Sequence, residues 1–304
     1  ALFERFGLPS AVVLTHGHED HVGAVYHLLR TLEMAIPIYG RPLALRLCHN
    51  RLRRNGVAAK LFDPRPLTPG LPLHLSAASP SEDIDPQGLV VVPLAVPHSI
   101  PEACSLLLCG PLRPSQLDPF GNGMSTLPSP LPAETRTVLH TGDYKVVAET
   151  MRFEPRPSPL PPIDLLVGDS TNALSTGTSG DEKIVEESLK AVLANHSGRV
   201  AVTLFSSHIE RISHFARSCE LHGRRLCLLG RGLHDAVEAA ESVGALKLSQ
   251  ALLCTPDEAA LLPRRQVAML CTGTQGESVA ALGKLVAALE PNSGAAFGKL
   301  RLQA

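Results

Sequence analysis

The stretch AVVLTHGHEDH, residues 11–21, joins a short apolar run to a dense group of metal-binding side chains. Its first five residues are mostly β-branched or apolar and predict a buried strand. The spacing of His16 and His18 directs both imidazoles to the same side if strand geometry continues through them. Asp20 and His21 then offer one oxygen and one nitrogen from the following turn. We also expect Asp20 to cap the helix that comes next.

Imidazole and carboxylate groups are the ligands that zinc prefers outside thiolate sites. One zinc ion takes about three protein ligands and two take more, so further ligands should follow other strands. His98 comes after a predicted strand at 89–96, and Asp143 comes after one at 137–139. A carboxylate can bridge two metal ions roughly 3.5–4 Å apart. The residues alone leave a second interpretation open, in which histidines after strands are structural.

Composition sets limits on the class of protein. The 304 residues are 44% hydrophobic and 19% charged, which fits a soluble globular chain of two domains, or of one domain with a large insertion. The net charge of -1 shows no excess of basic residues of the kind that favours nucleic-acid binding. This value does not report local basic patches, and it does not include the charge of bound metal ions. The seven cysteines never form a CxxC spacing, which argues against a disulfide framework and favours a reducing compartment. No run approaches the ~20 apolar residues of a membrane span.

The second half of the chain alternates between strand and helix patterns. Strands are predicted at 164–168, 199–205, 225–229 and 266–271, and helices at 181–195, 208–221, 233–243 and 277–289. This alternation predicts a mostly parallel sheet covered by helices. A capping box, Ser179-x-x-Glu182, should start the first of these helices. Before this half, a further strand is predicted at 105–109, and the Pro- and Ser-rich stretch 111–136 is predicted to be a surface loop.

Several longer strings resemble one family of the metallo-β-lactamase superfamily, ribonuclease J of the β-CASP group. They are LTHGHEDHVGA, PHSIPEA, HTGDYK, GDSTNA, GRGL and TGTQGE, and they occur in the family's order from about residue 11 onwards. The resemblance implies an α/β chain with two domains. Residues 1–169 would form the metallo-β-lactamase αββα domain without its N-terminal strands. Residues 170–304 would form the inserted, parallel α/β β-CASP domain, incomplete at its C-terminus.

The resemblance also implies roles for individual residues. His16, His18 and His98 would hold one zinc ion, Asp20 and His21 a second, and Asp143 would bridge the two. Asp169 matches the acidic residue of the β-CASP motif that lies beside the metal centre. The residues with predicted catalytic roles are therefore Asp20 and Asp169. A plainer interpretation of Asp169 is that it only caps the turn after its strand. His140 is expected to be structural or to orient a ligand.

Two further segments match the parts of the family that contact RNA. Ser206, Ser207, His208 and Arg211 fall where the family has a polar strand-to-helix turn in its RNA cleft, although the family usually has Asn where His208 stands. Thr274, Gln275 and Gly276 belong to a loop that resembles TGSQGE of the family. Glycine-rich turns after a strand expose N–H groups that can receive phosphate. The resemblance therefore implies substrate contacts at these seven positions.

The sequence also departs from the family. Members carry several N-terminal strands before the first histidine motif, which in this sequence begins already at His16. Members also carry, later in the chain, a phosphate-binding SGHAS-like motif and a ligand histidine in VHGE, and neither occurs in these 304 residues. We therefore expect a sequence that is truncated at both ends. Such a chain should bind RNA weakly and cleave it poorly on its own.

The function that the resemblance implies is zinc-dependent hydrolysis of RNA phosphodiester bonds, by endonuclease or 5′–3′ exonuclease action, in RNA maturation and decay, including rRNA processing. Two alternatives stay open: a small-ester or thioester metallohydrolase, and a non-catalytic RNA-binding paralogue. The segment beginning with DSTNA argues against the first alternative, because a small-ester enzyme needs no RNA-clamping domain. RNA is the expected partner, with a homo-oligomer in the complete protein and no membrane. The cytoplasm is the expected location, and an organelle such as the chloroplast is the alternative.

Overall fold

The structure is a computed structural model that describes residues 7–75, 88–111, 135–146, 161–177, 182–274 and 280–287. The chain divides into two compact units. The first comprises Ala1–His98 with Glu102–Leu174, and the second comprises Ser99–Pro101 with Ser175–Ala304. Each unit contains its own sheet or sheets with the helices that pack on them.

The first unit contains eight strands and three helices among its described residues. Its strands are β1 Val12–Val13, β2 Ile36–Gly40, β3 Phe62–Pro66, β4 Leu73–Leu75, β5 Leu89–Ala95, β6 Cys104–Pro111, β7 Thr135–His140 and β8 Leu165–Val167. Its helices are α1 Glu19–Val22, α2 Val25–Leu32 and α3 Pro42–Arg54, and a short 3₁₀ turn occupies Ala59–Leu61.

Two sheets build the first unit. Strands β1, β2 and β3 form a parallel sheet, and β4 to β8 form a five-stranded sheet in sequence order. The larger sheet is antiparallel except for the parallel pair β7–β8. Leu14, Leu29, Ile38 and Leu52 are almost completely buried in one apolar cluster, which packs α2 and α3 against the parallel strands. The two sheets are joined where β1 ends and β6 begins, because the backbone N–H of Cys104 donates to the carbonyl oxygen of Thr15 at 2.9 Å.

The second unit is a parallel α/β layer. Its strands are β9 Val200–Thr203, β10 Arg225–Leu229, β11 Leu253–Cys254 and β12 Val267–Cys271. Its helices are α4 Glu182–Asn195, α5 Ile209–Leu221, α6 Arg231–Ser242, α7 Pro256–Leu261 and α8 Ala281–Ala287, with a 3₁₀ turn at Arg264–Gln266. The sheet order is β11-β10-β12-β9, and every pair is parallel. All five residues of β12 are buried, as expected for a strand covered on both faces.

The predicted α/β class and the parallel sheet of the second half are confirmed. The strand at Arg225–Leu229 has the predicted bounds, and the helix predicted at 208–221 begins one residue later. The strand predicted at 164–168 is β8, which pairs with β7 in the first unit. No helix among the residues that the structure describes is both long and apolar enough to cross a membrane.

Some predictions are wrong or lie outside the described residues. Asp20 does not cap the following helix, because the chain enters α1 already at Glu19 and Asp20 lies inside it. The sequence predicts no strand between residues 64 and 88, where it is rich in Pro, Ser and Leu without a periodic pattern, yet the structure has the end of β3 and all of β4 there. Most of the predicted loop, residues 112–134, lies outside the described residues. Ser179 of the predicted capping box lies outside them as well.

A buried arginine ties the second unit together. Arg224 is only 4% exposed, and one guanidinium nitrogen donates to the carbonyl oxygens of Gly198 and Val267, at 2.9 and 3.1 Å. The other donates to the carbonyl oxygens of Leu193, at 3.1 Å, and His196. Because the last carbonyls of a helix have no partner within the helix, Arg224 satisfies the end of α4 and joins it to the start of β12.

Replacing Arg224 with methionine should lower the free energy of unfolding by roughly 2–4 kcal/mol, because each buried carbonyl that loses its donor costs ~1–3 kcal/mol. Urea unfolding followed by circular dichroism measures the change. Arg217→Met, at an exposed position of the neighbouring helix α5, is the control and should stay within about 0.5 kcal/mol of the parent chain. Equal losses for the two variants would contradict a specific role of Arg224.

Candidate metal centre

A tight turn folds the histidine segment back on itself. The backbone N–H of Leu14 donates to the carbonyl oxygen of Tyr39 at 2.7 Å, which extends the pairing of β1 with β2 by one residue. The carbonyl oxygen of His18 then accepts from the N–H groups of His21 and Val22, both at 3.0 Å, and so starts α1. This turn brings the His21 ring to within 3.9 Å of the neighbouring His16 ring, centroid to centroid.

Four predicted ligands converge at one place. One ligand atom from each of His16, His18, His98 and Asp143 lies within 4.8 Å of the others. The Nδ1 atom of His18 is 3.0 Å from Nε2 of His16 and 3.1 Å from Nε2 of His98. The Asp143 Oδ2 atom is 3.8 Å from His16 Nε2 and 4.0 Å from His98 Nε2. The structure therefore brings these four predicted ligand side chains together.

A second group of ligand atoms lies beside the first. It consists of Asp20, His21 and Asp143, whose ligand atoms also lie within 4.8 Å of one another. The Nε2 atom of His21 is 3.6 Å from Asp20 Oδ2 and 3.3 Å from Asp143 Oδ1. Asp143 therefore belongs to both groups, and its two oxygens point to different histidines. A carboxylate in this position has the geometry of a bridging ligand.

Two loops of the larger sheet deliver the distant members. His98 follows β5, and the turn beyond it holds Glu102 in the left-handed region at φ 66°. Asp143 follows β7 after a turn in which the N–H of Gly142 donates to Nδ1 of His140 at 3.1 Å. Gly142 has φ 57°, and a Cβ there would lie 3.0 Å from the carbonyl oxygen of Cys104. His140 thus shapes the turn before Asp143 and does not contact a predicted ligand side chain through this bond.

Burial keeps the histidines of the first group neutral. It lowers the pKa of His16 to about 2, with the surrounding histidines adding to the effect. It likewise lowers the pKa of His98 to about 4, helped by His18 and Lys145. Burial also lowers the pKa of His18, although the Asp20 and Asp143 carboxylates act in the opposite direction. Neutral imidazoles each keep one nitrogen lone pair available to a metal ion.

The ring nitrogens of this group are not all hydrogen-bonded, and a bound cation would provide a partner for their lone pairs. His18 Nδ1 faces two nitrogens at hydrogen-bond distance, but one ring nitrogen can form only one such bond. The buried Nδ1 atom of His98 has no hydrogen-bond partner among the described residues. Nitrogen and oxygen donors crowded in this way fit a divalent metal ion with imidazole and carboxylate ligands.

Asp169 follows β8 and forms a local turn. Its backbone N–H donates to the Thr141 hydroxyl at 3.0 Å, and its Oδ1 atom accepts from the N–H and hydroxyl of Thr171, at 2.9 and 2.7 Å. Burial acts to raise the pKa of Asp169, but the Thr171 hydrogen bonds and the nearby His98 and His21 outweigh it, and the pKa lies below the usual range. Asp169 is therefore a turn-capping carboxylate that also interacts with two predicted ligands, and its catalytic role stays a prediction.

The predicted RNA contacts lie in the second unit. Ser206 and Ser207 follow β9, and His208 is the N-cap of α5. Arg211 makes a bidentate ion pair with Glu182, whose Oε1 atom also lies 3.3 Å from His208 Nε2. No sequence pattern indicates this ion pair, because the capping-box motif assigns Glu182 only to the start of its own helix. Thr274 is exposed after β12, whereas Gln275 and Gly276 lie outside the described residues.

Comparisons with known proteins agree with this arrangement. Residues 9–194 match the model of the metallo-β-lactamase superfamily, and residues 197–292 match the model of the ribonuclease J β-CASP domain. The first match covers more than half of the chain, so the chain belongs to the metallo-β-lactamase superfamily. The resemblance to ribonuclease J of the β-CASP group is confirmed as well, and with it the predicted pair of domain types.

Two curated relatives of the chain are each named ribonuclease J. The chain is 31% identical to a ribonuclease J of Sinorhizobium meliloti over 286 residues, which are 90% of the chain and 43% of the relative. It is 31% identical to a ribonuclease J of Thermus thermophilus, over 90% of the chain and 44% of the relative. The chain thus spans less than half of the length of these relatives. A solved structure of a protein of unknown function from Enterococcus faecalis aligns with a TM-score of 0.50 at 14% identity, over 86% of the chain and 58% of that protein, and shows the fold alone.

The shared position of Asp143 leads to a prediction about metal content. Asp143→Ala should weaken both groups of ligands, whereas His18→Ala should weaken only the first, because His18 contacts only that group. Elemental analysis after dialysis against a weak chelator should therefore find less zinc on Asp143→Ala than on His18→Ala. His74→Ala, at an exposed histidine of β4, is the control and should keep the parent metal content. Equal zinc on all three variants would contradict the assignment.

Proposed function

We propose that this chain is a zinc-dependent hydrolase of RNA phosphodiester bonds, acting as ribonuclease J-type enzymes do. The observation that carries the proposal is the pair of donor groups joined through Asp143 in a chain that also matches the ribonuclease J β-CASP domain. Two adjacent metal sites suit phosphodiester hydrolysis, because both the attacking and the leaving oxygen of an in-line displacement need stabilisation.

The proposed ligand assignment follows the two donor groups. His16, His18 and His98 would hold one zinc ion, Asp20 and His21 would hold the other, and Asp143 would contribute to both sites. When bound, the two zinc ions supply Lewis acidity that activates water near neutral pH and offsets charge on the phosphoryl oxygens. The neutral imidazoles meet the requirement that a metal-binding histidine carry a free lone pair.

Two carboxylates are proposed to manage the proton that leaves the water. The Asp20 side chain is 77% exposed, so it can pass a proton on to solvent. Asp169 carries a low pKa and two hydrogen bonds from Thr171, so it is ionised and able to accept or relay a proton. The expected products carry a 5′-phosphate and a 3′-hydroxyl.

The substrate contacts are proposed on the second unit. The residues that follow β9, β10 and β12 lie close together there. A Cβ at Gly232, after β10, would lie 3.6 Å from the hydroxyl of Ser206, after β9. A Cβ at Gly230, also after β10, would lie 2.5 Å from the hydroxyl of Thr272, after β12. The carboxyl ends of parallel strands are where open α/β sheets bind ligands. Ser206, Ser207, His208, Arg211, Thr274, Gln275 and Gly276 remain the proposed contacts. RNA phosphate has to compete with Glu182 for Arg211.

The remaining parts of the proposal rest on the resemblance. The domain boundary is placed at 169/170, and cleavage is endonucleolytic or proceeds from a 5′-monophosphate end, in RNA maturation and decay. The expected location is the cytoplasm, or an organelle such as the chloroplast, and the complete protein is expected to form a homo-oligomer. A small-ester hydrolase and a non-catalytic RNA-binding paralogue remain the competing functions.

The test uses the purified 304-residue chain, loaded with zinc and mixed with a labelled, 5′-monophosphorylated RNA. We expect slow cleavage that yields 5′-phosphate ends and stops when a chelator is added. Asp20→Ala should lower the rate about 10²–10³-fold, because it removes a ligand and a proton acceptor. Circular dichroism should show that the variant keeps its fold, and His74→Ala should cleave as the parent chain does.

Three outcomes would contradict the proposal. Cleavage that is equal in the parent chain and in Asp20→Ala would point to a contaminating nuclease. Hydrolysis of a thioester without hydrolysis of RNA would favour the hypothesis of a small-ester hydrolase. Zinc-independent RNA binding without cleavage would favour the non-catalytic paralogue.

A further inference from the structure

The hydroxyl of Thr15 lies between two predicted ligands that belong to different donor groups. Its Oγ1 atom is 3.1 Å from Nδ1 of His16 and 3.1 Å from Nδ1 of His21. His16 belongs to the first group and His21 to the second. We propose that Thr15 is a positioning residue whose single hydroxyl orients one histidine of each group and thereby couples the two metal sites. This inference rests on the proposed metal binding, but not on the proposed action on RNA.

The argument starts from the two nitrogens of an imidazole ring. The Nε2 atom of His16 faces the ligand atoms of the first group, and Nε2 of His21 faces Asp20 and Asp143. A nitrogen that binds a metal carries no proton, so the ring proton of each histidine must sit on Nδ1. Each Nδ1–H then needs an acceptor. Both point at the Thr15 oxygen, which has two lone pairs and can accept both hydrogen bonds at once.

The surroundings hold the Thr15 hydroxyl in this position. Thr15 is 6% exposed, and its carbonyl oxygen accepts from the Cys104 N–H at 2.9 Å. A Cβ at Gly142 would lie 3.3 Å from the Thr15 methyl carbon, so the absence of a side chain at Gly142 leaves room for that methyl group. A β-branched side chain has few accessible rotamers. The methyl group and the backbone bond therefore aim the hydroxyl at both rings.

This arrangement makes the two sites depend on each other. A hydroxyl that donates its own proton to one Nδ1 can accept from the other, but the first histidine then carries its proton on Nε2 and cannot bind a metal through that atom. Metal binding at both sites requires the hydroxyl to accept from both rings. Occupation of one site therefore prevents the hydroxyl from donating its proton to that site's histidine, and occupation of both sites requires this proton to go to an acceptor other than the two rings.

The test compares three threonine variants of the 304-residue chain. Thr15→Val keeps the shape of the side chain and removes the hydroxyl, and Thr15→Ser keeps the hydroxyl. Thr137→Val is the matched control, because Thr137 is also buried, at 7% exposure, and its hydroxyl contacts Cys109. Zinc affinity is measured by chelator competition, and the visible absorption of the cobalt-loaded chain reports the ligand geometry.

We expect Thr15→Val to weaken zinc binding at both sites by about 10–100-fold, as the loss of an outer partner of a ligating histidine does. Its cobalt spectrum should change, Thr15→Ser should recover most of the affinity, and Thr137→Val should match the parent chain. Thermal unfolding in chelator shows whether each metal-free variant is folded. If Thr15→Val does not fold, Thr15→Ala provides the same comparison.

Parent-like zinc affinity and an unchanged cobalt spectrum for Thr15→Val would overturn the inference and leave Thr15 as a packing residue. Loss of affinity at one site alone would overturn the coupling. A parent chain that binds no zinc would overturn both the inference and the proposed metal sites. A parent chain that binds zinc without cleaving RNA would contradict only the proposed ribonuclease activity, since the Thr15 comparison is read from affinity and absorption.

Discussion

The Asp143 carboxylate is the group on which the rest of the site depends. Its two oxygens face histidines of two different donor groups, and its position is set by the turn that follows β7 at Gly142. That turn can approach the histidine segment because the backbone of Cys104, at the start of β6, bonds to Thr15. The pairing of β6 with β7 therefore fixes the distance between Asp143 and His16 across more than a hundred residues of sequence.

The six side chains proposed as ligands could be predicted from the sequence, but the groups that position them could not. A strand followed by HxHxDH and later strands that end at a histidine or an aspartate are local patterns, and the ends of neighbouring strands meet in a sheet. The double contact of Thr15 has no such pattern, since it depends on how the turn at His18 folds His21 back. The short strands β3 and β4 were not assigned, because two prolines in β3 conceal the alternation that marks a strand.

The second unit shows the same limit. Its alternating pattern was enough to predict the parallel sheet and, to within two residues, the bounds of three of the five described helices, because these depend on periodicity along the chain. The short helix α7 and the two-residue strand β11 were not predicted. The pairing of Arg211 with Glu182 joins residues on two helices, and no pattern within either helix indicates it. A residue expected to meet phosphate is therefore already neutralised by a carboxylate. Any contact of Arg211 with RNA must include the free energy needed to replace that ion pair.

Arg224 and the histidine group differ in how completely their buried polar atoms are hydrogen-bonded. Each of the four carbonyls around Arg224 receives a hydrogen bond, so that cluster is complete within the protein and serves stability. The histidine group is different, since His18 Nδ1 faces two nitrogens and His98 Nδ1 has no partner among the described residues. Polar atoms buried without full bonding cost free energy. The histidine group has buried nitrogens that are neutral and incompletely hydrogen-bonded, and it shares one carboxylate. Cation binding explains this arrangement better than a contribution to the stability of the fold does.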